Sequence, residues 1–275
     1  MLWICRIQVT HPIFRVPILT GEALSTLAFV QARMGSARLP GKVLAPLAGR
    51  PLLAHVLERV ARTPGLDGVA LLSTDAPADE PLRELGAQLG VAVIAGSRED
   101  VLDRFHRAAR ELRAQTIVRV TADCPLVDPE VLGRLVSLWR ATPSLGYATI
   151  ATGAMSAGAG LRRYPDGLDG EIFSAATLRM AWSESRERYE REHVTPFIWC
   201  RPERFSPALL QAPEDLGGER WTVDHPADLD FIEAIYERLG DREPFGSREV
   251  LDLLAREPHL RMLNARERVQ ATPVR

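Results

Sequence analysis

The sequence is poor in cysteine and in aromatic residues, and it has no long apolar run. Cys5, Cys124 and Cys200 are odd in number and widely separated. They supply neither a disulfide framework nor the paired spacing of a structural zinc site, so a reducing cytoplasm is the expected setting. No apolar stretch approaches the ~20 residues of a membrane-spanning helix, and no membrane partner is expected. An excess of one charge is missing as well: 34 Lys and Arg stand against 36 Asp and Glu, a net charge of −2. No general polyanion-binding face is implied, nucleic acid is not an expected partner, and any anion site has to be local. Two phosphate motifs are also absent. A P-loop needs four residues between its glycines, but Gly35 and Gly41 enclose five, Val43 follows Lys42, and Pro40 removes a backbone donor. A dinucleotide fingerprint needs a third glycine that GAG at 158–160 does not have.

What is present is an ordinary globular composition, 46% apolar and 25% charged over 275 residues, enough for one large α/β domain or two small ones. Residues 1–25 are mildly apolar but broken by Arg6, His11, Pro12, Arg15 and Pro17. They make a poor signal peptide and read either as an added hairpin or as translation from an upstream start. From Thr26 the pattern becomes strand–helix alternation. Strands are expected at 27–31, 68–74, 91–94 and 116–121, with helices at 51–62 and 78–89 between them. A further helix follows Ser97, read as its N-cap with Asp100 three residues on, and another follows Asp128 and Pro129. Beyond Thr142 the texture is less regular. YATIA and the stretch after PDGLDG read as strands, TGAMSAGAGLRR as a small-residue loop, and SESRERYEREHVTP as helical toward its end. RWTVD at 220–224 reads as a strand, followed by helices at 226–240 and 247–256. This gives a single domain over 26–260, with an irregular region at 142–215 and a tail at 261–275. Such alternation implies a parallel or mixed sheet covered on both faces, with ligands beyond the carboxyl ends of its strands.

Three polar segments follow strands at that edge: VQARMGSARLPGKVL at 30–44, Ser73-Thr74-Asp75, and Thr121-Ala122-Asp123-Cys124-Pro125. The first carries Arg33, Arg38 and Lys42 with Gly35, Ser36 and Gly41 among them. Guanidinium groups grip phosphate through paired N–H donors and an ammonium adds a compact charge, so the set suits a triphosphate. Solvated loop decoration is the alternative.

The segment QARMGSARLPGKVL resembles the signature of cytidylyltransferases of the spore coat polysaccharide biosynthesis protein F type, relatives of CMP-acylneuraminate and CMP-KDO synthetases. The resemblance continues in order through GSREDVLDRF at 96–105, VRVTADCPLVDP at 118–129, YPDGLD at 164–169, REHVTP at 191–196 and RWTVDHPADL at 220–229. Ala37, Ala122 and Gly170 depart from the usual residues. The resemblance implies an α/β nucleotide-diphospho-sugar transferase (Rossmann-like) fold, a mixed, mostly parallel sheet flanked by helices. Residues 142–215 would then be an inserted acceptor and dimerisation region, and a homodimer is a common state of such synthetases. It implies CTP as one partner and a sugar acid, sugar phosphate or polyol phosphate as the other. CMP would be transferred with release of pyrophosphate, for surface-polysaccharide assembly. A glycosyltransferase on the same fold and a silent nucleotide-binding module are the rival readings.

Under that resemblance Arg33, Arg38 and Lys42 neutralise the triphosphate and the departing pyrophosphate, beside Gly35 and Ser36. Asp123 and Asp224 hold Mg²⁺; an Asx turn before Pro125 and an N-cap before Pro226 are their alternatives. Ser73 and Thr74 reach the base or ribose or only build a turn, and Arg104 lies near the base or in a surface salt bridge. Asp166, Asp169, Arg191 and His193 are candidates for acceptor binding, against turn chemistry for the aspartates and simple exposure for His193. Asp228 and Asp230 read as first-turn dipole partners or solvated face, and Cys124 as a small buried residue rather than a nucleophile.

Overall fold

The structure is a computed structural model and describes residues 26–150, 163–240 and 244–270. The N-terminal segment and most of the small-residue loop, including 158–160, lie outside the described residues. Leu27 to Val30 is an unbroken apolar run, suited to a strand covered on both faces. It becomes β1 (Thr26–Gln31). A short ladder of β2 (Pro46–Leu47) and β3 (Arg50–Pro51) leads into α1 (Leu52–Ala61) and β4 (Gly68–Thr74). Alternation continues with α2 (Glu80–Gln88), β5 (Ala92–Gly96), α3 (Val101–Glu111), β6 (Thr116–Thr121) and α4 (Pro129–Ala141). Next come β7 (Tyr147–Thr149), β8 (Glu171–Ser174), α5 (Ala175–Glu184) and the short helices α6 (Arg188–His193), α7 (Pro196–Trp199) and α8 (Pro202–Phe205). The chain closes with β9 (Pro207–Leu209), α9 (Pro226–Leu239), α10 (Ser247–Arg256) and α11 (Ala265–Gln270).

One sheet runs in the order β5-β4-β1-β6-β8-β7-β9. β5, β4, β1 and β6 are parallel, β8 is antiparallel to both β6 and β7, and β9 is parallel to β7. The sheet is therefore mixed and mostly parallel, as expected. The period of two along β1 divides the core. Ala28 and Val30 pack on one face with residues of α1, α2, α4, α9 and α10, while Leu27 and Phe29 pack on the other with α3 and α5. Phe29 meets Phe105 of α3 edge-on, with ring centroids 5.8 Å apart.

Local chemistry sets the helix starts. Asp128 caps α4, accepting from the Glu130 amide at 2.9 Å, and its second oxygen accepts from the Ser247 amide at 2.7 Å. One carboxylate thus fixes the starts of both α4 and α10. For α3 the cap is Asp100, which accepts from the Asp103 amide at 3.0 Å, and not the expected Ser97. Ser97 instead turns the chain just upstream by accepting from the Glu99 and Asp100 amides at 3.2 and 3.0 Å. Both residues are good caps, and sequence spacing alone does not separate them.

Other expectations change as well. Residues 220–224 do not join the sheet. The Trp221 amide donates to Asp166 O at 2.6 Å and the Val223 amide to Asp123 O at 2.8 Å, so the segment is threaded between two loops. The sheet ends on that side at β9, an edge strand opened by a proline that suits an edge. α5, begun by the Ser174 cap on the Thr177 amide at 2.9 Å, was not expected either, because its apolar face is narrow. The boundary expected at residue 260 falls inside a docked segment. Leu260 and Asn264 are buried, and Arg261 pairs with Glu219 at 2.7 Å.

Candidate active site

A cavity of about 480 Å³ opens beyond the carboxyl ends of β1 and β6. Arg33, Gly35, Ser36, Arg38, Lys42, Arg104, Arg119, Asp123, Glu192, His193 and Asp224 line it. The loop after β1 is curled around the Met34 carbonyl, which accepts from the Ser36 and Gly41 amides at 2.9 and 3.1 Å. Gly41 lies in the left-handed region at φ 73°, a conformation that favours glycine, and opens the 3-10 turn carrying Lys42. That turn directs Lys42 inward while Arg33 and Arg38 stay exposed at the rim.

Lys42 is where the two distant aspartates meet. Its Nζ donates to Asp123 Oδ2 at 2.7 Å, to Asp224 Oδ1 at 2.8 Å and to the Val223 carbonyl at 2.8 Å. Burial works against this ammonium, but Asp123 and then Asp224 outweigh it and raise its pKa above the ordinary value. Burial likewise works against the Asp224 carboxylate, and Lys42, Arg220 and Arg38 together hold it below the ordinary range. Arg38 reaches Asp224 Oδ1 at 2.8 Å and Arg220 reaches Oδ2 at 2.9 Å.

The Asp224 loop is braced from behind. Asp228 lies in the first turn of α9, as expected, but it is fully buried and not part of a solvated face. Its Oδ2 accepts from the Asp224 and His225 amides, each at 3.0 Å, and its Oδ1 accepts from Arg220 Nε at 3.1 Å. Asn264 donates to the Arg220 carbonyl at 3.1 Å and to Asp228 at 3.3 Å, so the C-terminal segment belongs to this scaffold. Capping of α9 therefore falls to His225 and Asp228, which leaves the Asp224 carboxylate turned toward Lys42.

The far wall is built on β6 and α6. Arg119 pairs with Glu171 and donates to Gln31 Oε1 at 3.0 Å. Glu171 also accepts from the Tyr147 hydroxyl at 2.5 Å and the Thr195 hydroxyl at 2.6 Å. His193 projects from the end of α6, just before Val194, whose φ of 71° is strained for a β-branched residue. The Thr195 amide closes that tight turn on His193 O at 2.8 Å. His193 is exposed at the cavity wall, and partial loss of solvent lowers its pKa below the ordinary value; Glu192 opposes this, and Arg119 and Arg33 reinforce it. Arg104 is 3% exposed, and its Nε and Nη1 have no hydrogen-bond partner. Burial first, and the Arg33 charge second, pull its guanidinium down to about 10.

Some sequence candidates fall outside the cavity. Ser73 and Thr74 are fully buried at the end of β4 and do not line it. Thr74 bonds Asp79, whose other oxygen accepts from the Met34 amide at 2.7 Å, so the pair supports the cation loop from below. Arg191 also turns away. It pairs with Asp100 at 2.6 Å and donates to the Trp182 carbonyl at 3.1 Å, locking α6 onto the start of α3. Asp166 is held by Arg220 at 2.8 Å, behind Asp224.

Asp169 is half-buried in the same turn, where Gly167 at φ 104° leaves no room for a Cβ against Trp221 and Thr222. Burial, then the neighbouring Asp166 charge, raises the Asp169 carboxyl to about 7 from an ordinary value of 3.8. Its contribution to stability is thus complete below pH 3.8 and is lost as pH rises toward 7. Asp169→Asn should therefore gain stability relative to the native chain between pH 5 and pH 8. Urea midpoints at both pH values measure this, and parallel pH dependence of the two chains would contradict it.

Two site residues had readable signals. Arg119 is a charged residue in the middle of the apolar strand TIVRVT, a position a central strand rarely gives to a cation without a use. Lys42 is the only lysine in the chain, beside 33 arginines. Cys124 is buried, and its thiol is pushed well above the ordinary value by burial, then by Asp123, as befits an inert residue.

A mixed sheet with a cation-bearing first loop and two aspartates at its carboxyl edge defines a nucleotide-diphospho-sugar transferase fold. The chain belongs to the cytidylyltransferase family, whose model matches residues 27–238. It is 32% identical over 239 residues to the spore coat polysaccharide biosynthesis protein SpsF of Bacillus subtilis, covering 84% of this chain and 95% of that protein. A cytidylyltransferase structure from Leptospira borgpetersenii matches with a TM-score of 0.78 and 28% identity, over 86% of this chain and 96% of that one. The structure of a CMP:2-keto-3-deoxy-manno-octonic acid synthetase complexed with CTP shares the fold, with a TM-score of 0.56 and 19% identity over 78% of this chain and 99% of that one.

Proposed function

We propose that the protein transfers CMP from CTP to a sugar acid, sugar phosphate or polyol phosphate and releases pyrophosphate, in the assembly of a cell-surface polysaccharide. The observation that carries this reading is the meeting of Asp123 and Asp224 at Lys42, beneath a loop that bears two further cations. Family membership, the name of the Bacillus relative and the CTP held by the synthetase of like fold support it.

An acceptor oxygen attacks the α-phosphorus, the bond from that phosphorus to the bridging oxygen breaks, and its electron pair leaves on pyrophosphate. Little covalent work falls to the protein, so rate depends on position and charge. Arg33 and Arg38 grip the phosphates from the rim, and Lys42 meets charge that grows on the departing oxygen; one such donor is worth roughly 10²–10³ in rate. Arg104, which lines the same cavity, lies against the base. Arg119 and His193 form the wall that receives the acceptor.

The donors around Lys42, two carboxylates and a carbonyl, are all oxygen, which fits Mg²⁺. Among the described residues no group of three or more His, Cys, Asp and Glu side chains forms a metal cage. Two carboxylates completed by substrate phosphates is the arrangement this ion commonly takes. Asp123 and Asp224 would hold the ion, and when bound it would neutralise phosphate charge.

The test is incubation of the full chain with Mg²⁺, each of the four ribonucleoside triphosphates and a panel of acceptors. Pyrophosphate release that requires CTP and one acceptor class is expected. Release of a nucleoside diphosphate from a nucleotide sugar, or no CTP binding at all, would contradict the proposal.

A further inference from the structure

Lys42 stands where a divalent cation would have to sit. Its ammonium touches one oxygen of Asp123 and one of Asp224, and a carbonyl completes three acceptors for its three protons. The side chain is only 10% exposed. A bare divalent ion entering here has two courses. It can share the cavity with a cation in contact with the same carboxylates, or it can expel the ammonium. Like-charge repulsion opposes the first. The second strips a buried ammonium of three hydrogen bonds with no replacement. Asp166 and Asp228 are already held by Arg220. Arg38 and Arg220 add two more positive charges to Asp224.

A triphosphate changes this balance. It brings its own oxygens, and the flexible four-carbon stem of lysine lets the ammonium move onto them. Asp123 and Asp224 are then freed at the moment a phosphate-bound ion arrives. Resting on the metal assignment proposed above, we propose that Lys42 is a specificity-determining residue: it bars the free divalent cation from Asp123 and Asp224 and admits it only together with the nucleotide.

The chain's single lysine makes the test direct. Selective ¹⁵N-lysine labelling of the full chain gives one side-chain ammonium resonance. That resonance should stay in place on addition of Mg²⁺ alone and shift when a non-hydrolysable CTP analogue is added with Mg²⁺. Displacement by Mg²⁺ alone would overturn the proposal. In parallel, Mn²⁺ is titrated by electron paramagnetic resonance, without nucleotide. Lys42→Met should bind Mn²⁺ at least ~10-fold more tightly than the native chain, and the added Asp224→Asn change should remove the gain. Equal Mn²⁺ affinity in native and Lys42→Met chains would also overturn it. If Lys42→Met does not fold, the ammonium resonance of the native chain decides alone. These metal-only arms contain no CTP, so a failure of CTP binding would strike the proposed reaction and leave the exclusion of free metal to be judged separately.

Discussion

Asp224→Asn is expected to lower CTP-dependent pyrophosphate release by about 10²–10³-fold, the scale of losing one preorganised electrostatic group. The amide keeps the shape of the side chain but not its charge, and that charge is what three cations converge on. Lys42, Arg38 and Arg220 all reach Asp224, at 2.8, 2.8 and 2.9 Å. The fold should survive. Lys42 keeps Asp123 and the Val223 carbonyl, and Arg220 keeps Asp166 and Asp228. A destabilisation of about 1–3 kcal/mol is expected, smaller than the cost of orphaning a fully buried charge, because each cation retains a partner or solvent. Kinetics and a urea midpoint on the same preparation separate the two effects. Normal turnover would remove Asp224 from the site.

Arg104→Met should move stability and binding in opposite directions. The native guanidinium is buried with two donor nitrogens unpartnered, a cost carried by the ligand-free protein. Methionine fills similar space without those donors. The ligand-free variant should therefore be more stable by about 1–3 kcal/mol. Nucleotide affinity should fall at least ~10-fold, because a lost hydrogen bond to a charged donor is worth about 1.5–3 kcal/mol. Calorimetric titration with CTP and thermal unfolding without it make the pair of measurements. A variant that is both less stable and unchanged in affinity would mean that Arg104 is a structural residue.

Much of this was legible in the sequence because strand–helix alternation is a local pattern. The unbroken run of β1, the Pro129 start of α4 and the Pro226 start of α9 all declare themselves within a few residues. The cation loop was legible for the same reason. Legibility failed where partners are distant in sequence. Thr74 and Arg191 are polar residues close to site motifs, yet each spends its hydrogen bonds on a neighbouring element, Thr74 on Asp79 and Arg191 on Asp100. Residues 220–224 have strand-like composition, but Arg220 answers Asp166, Asp224 and Asp228 and pulls the segment out of the sheet. Nothing in the local pattern of the last residues signals that Asn264 closes on Asp228, 36 positions away. No periodicity announces that Lys42 lies between residues 81 and 182 positions further along.

Crystals grown with Mn²⁺ and a non-hydrolysable CTP analogue give the most direct test of the central claim, that the cation loop and the two aspartates grip one nucleotide from both sides. An anomalous manganese peak in contact with both Asp123 and Asp224, with the triphosphate lying along Arg33, Arg38 and Lys42, is the predicted result. A nucleotide bound elsewhere, or bound here with the aspartates turned away from its metal, would contradict it.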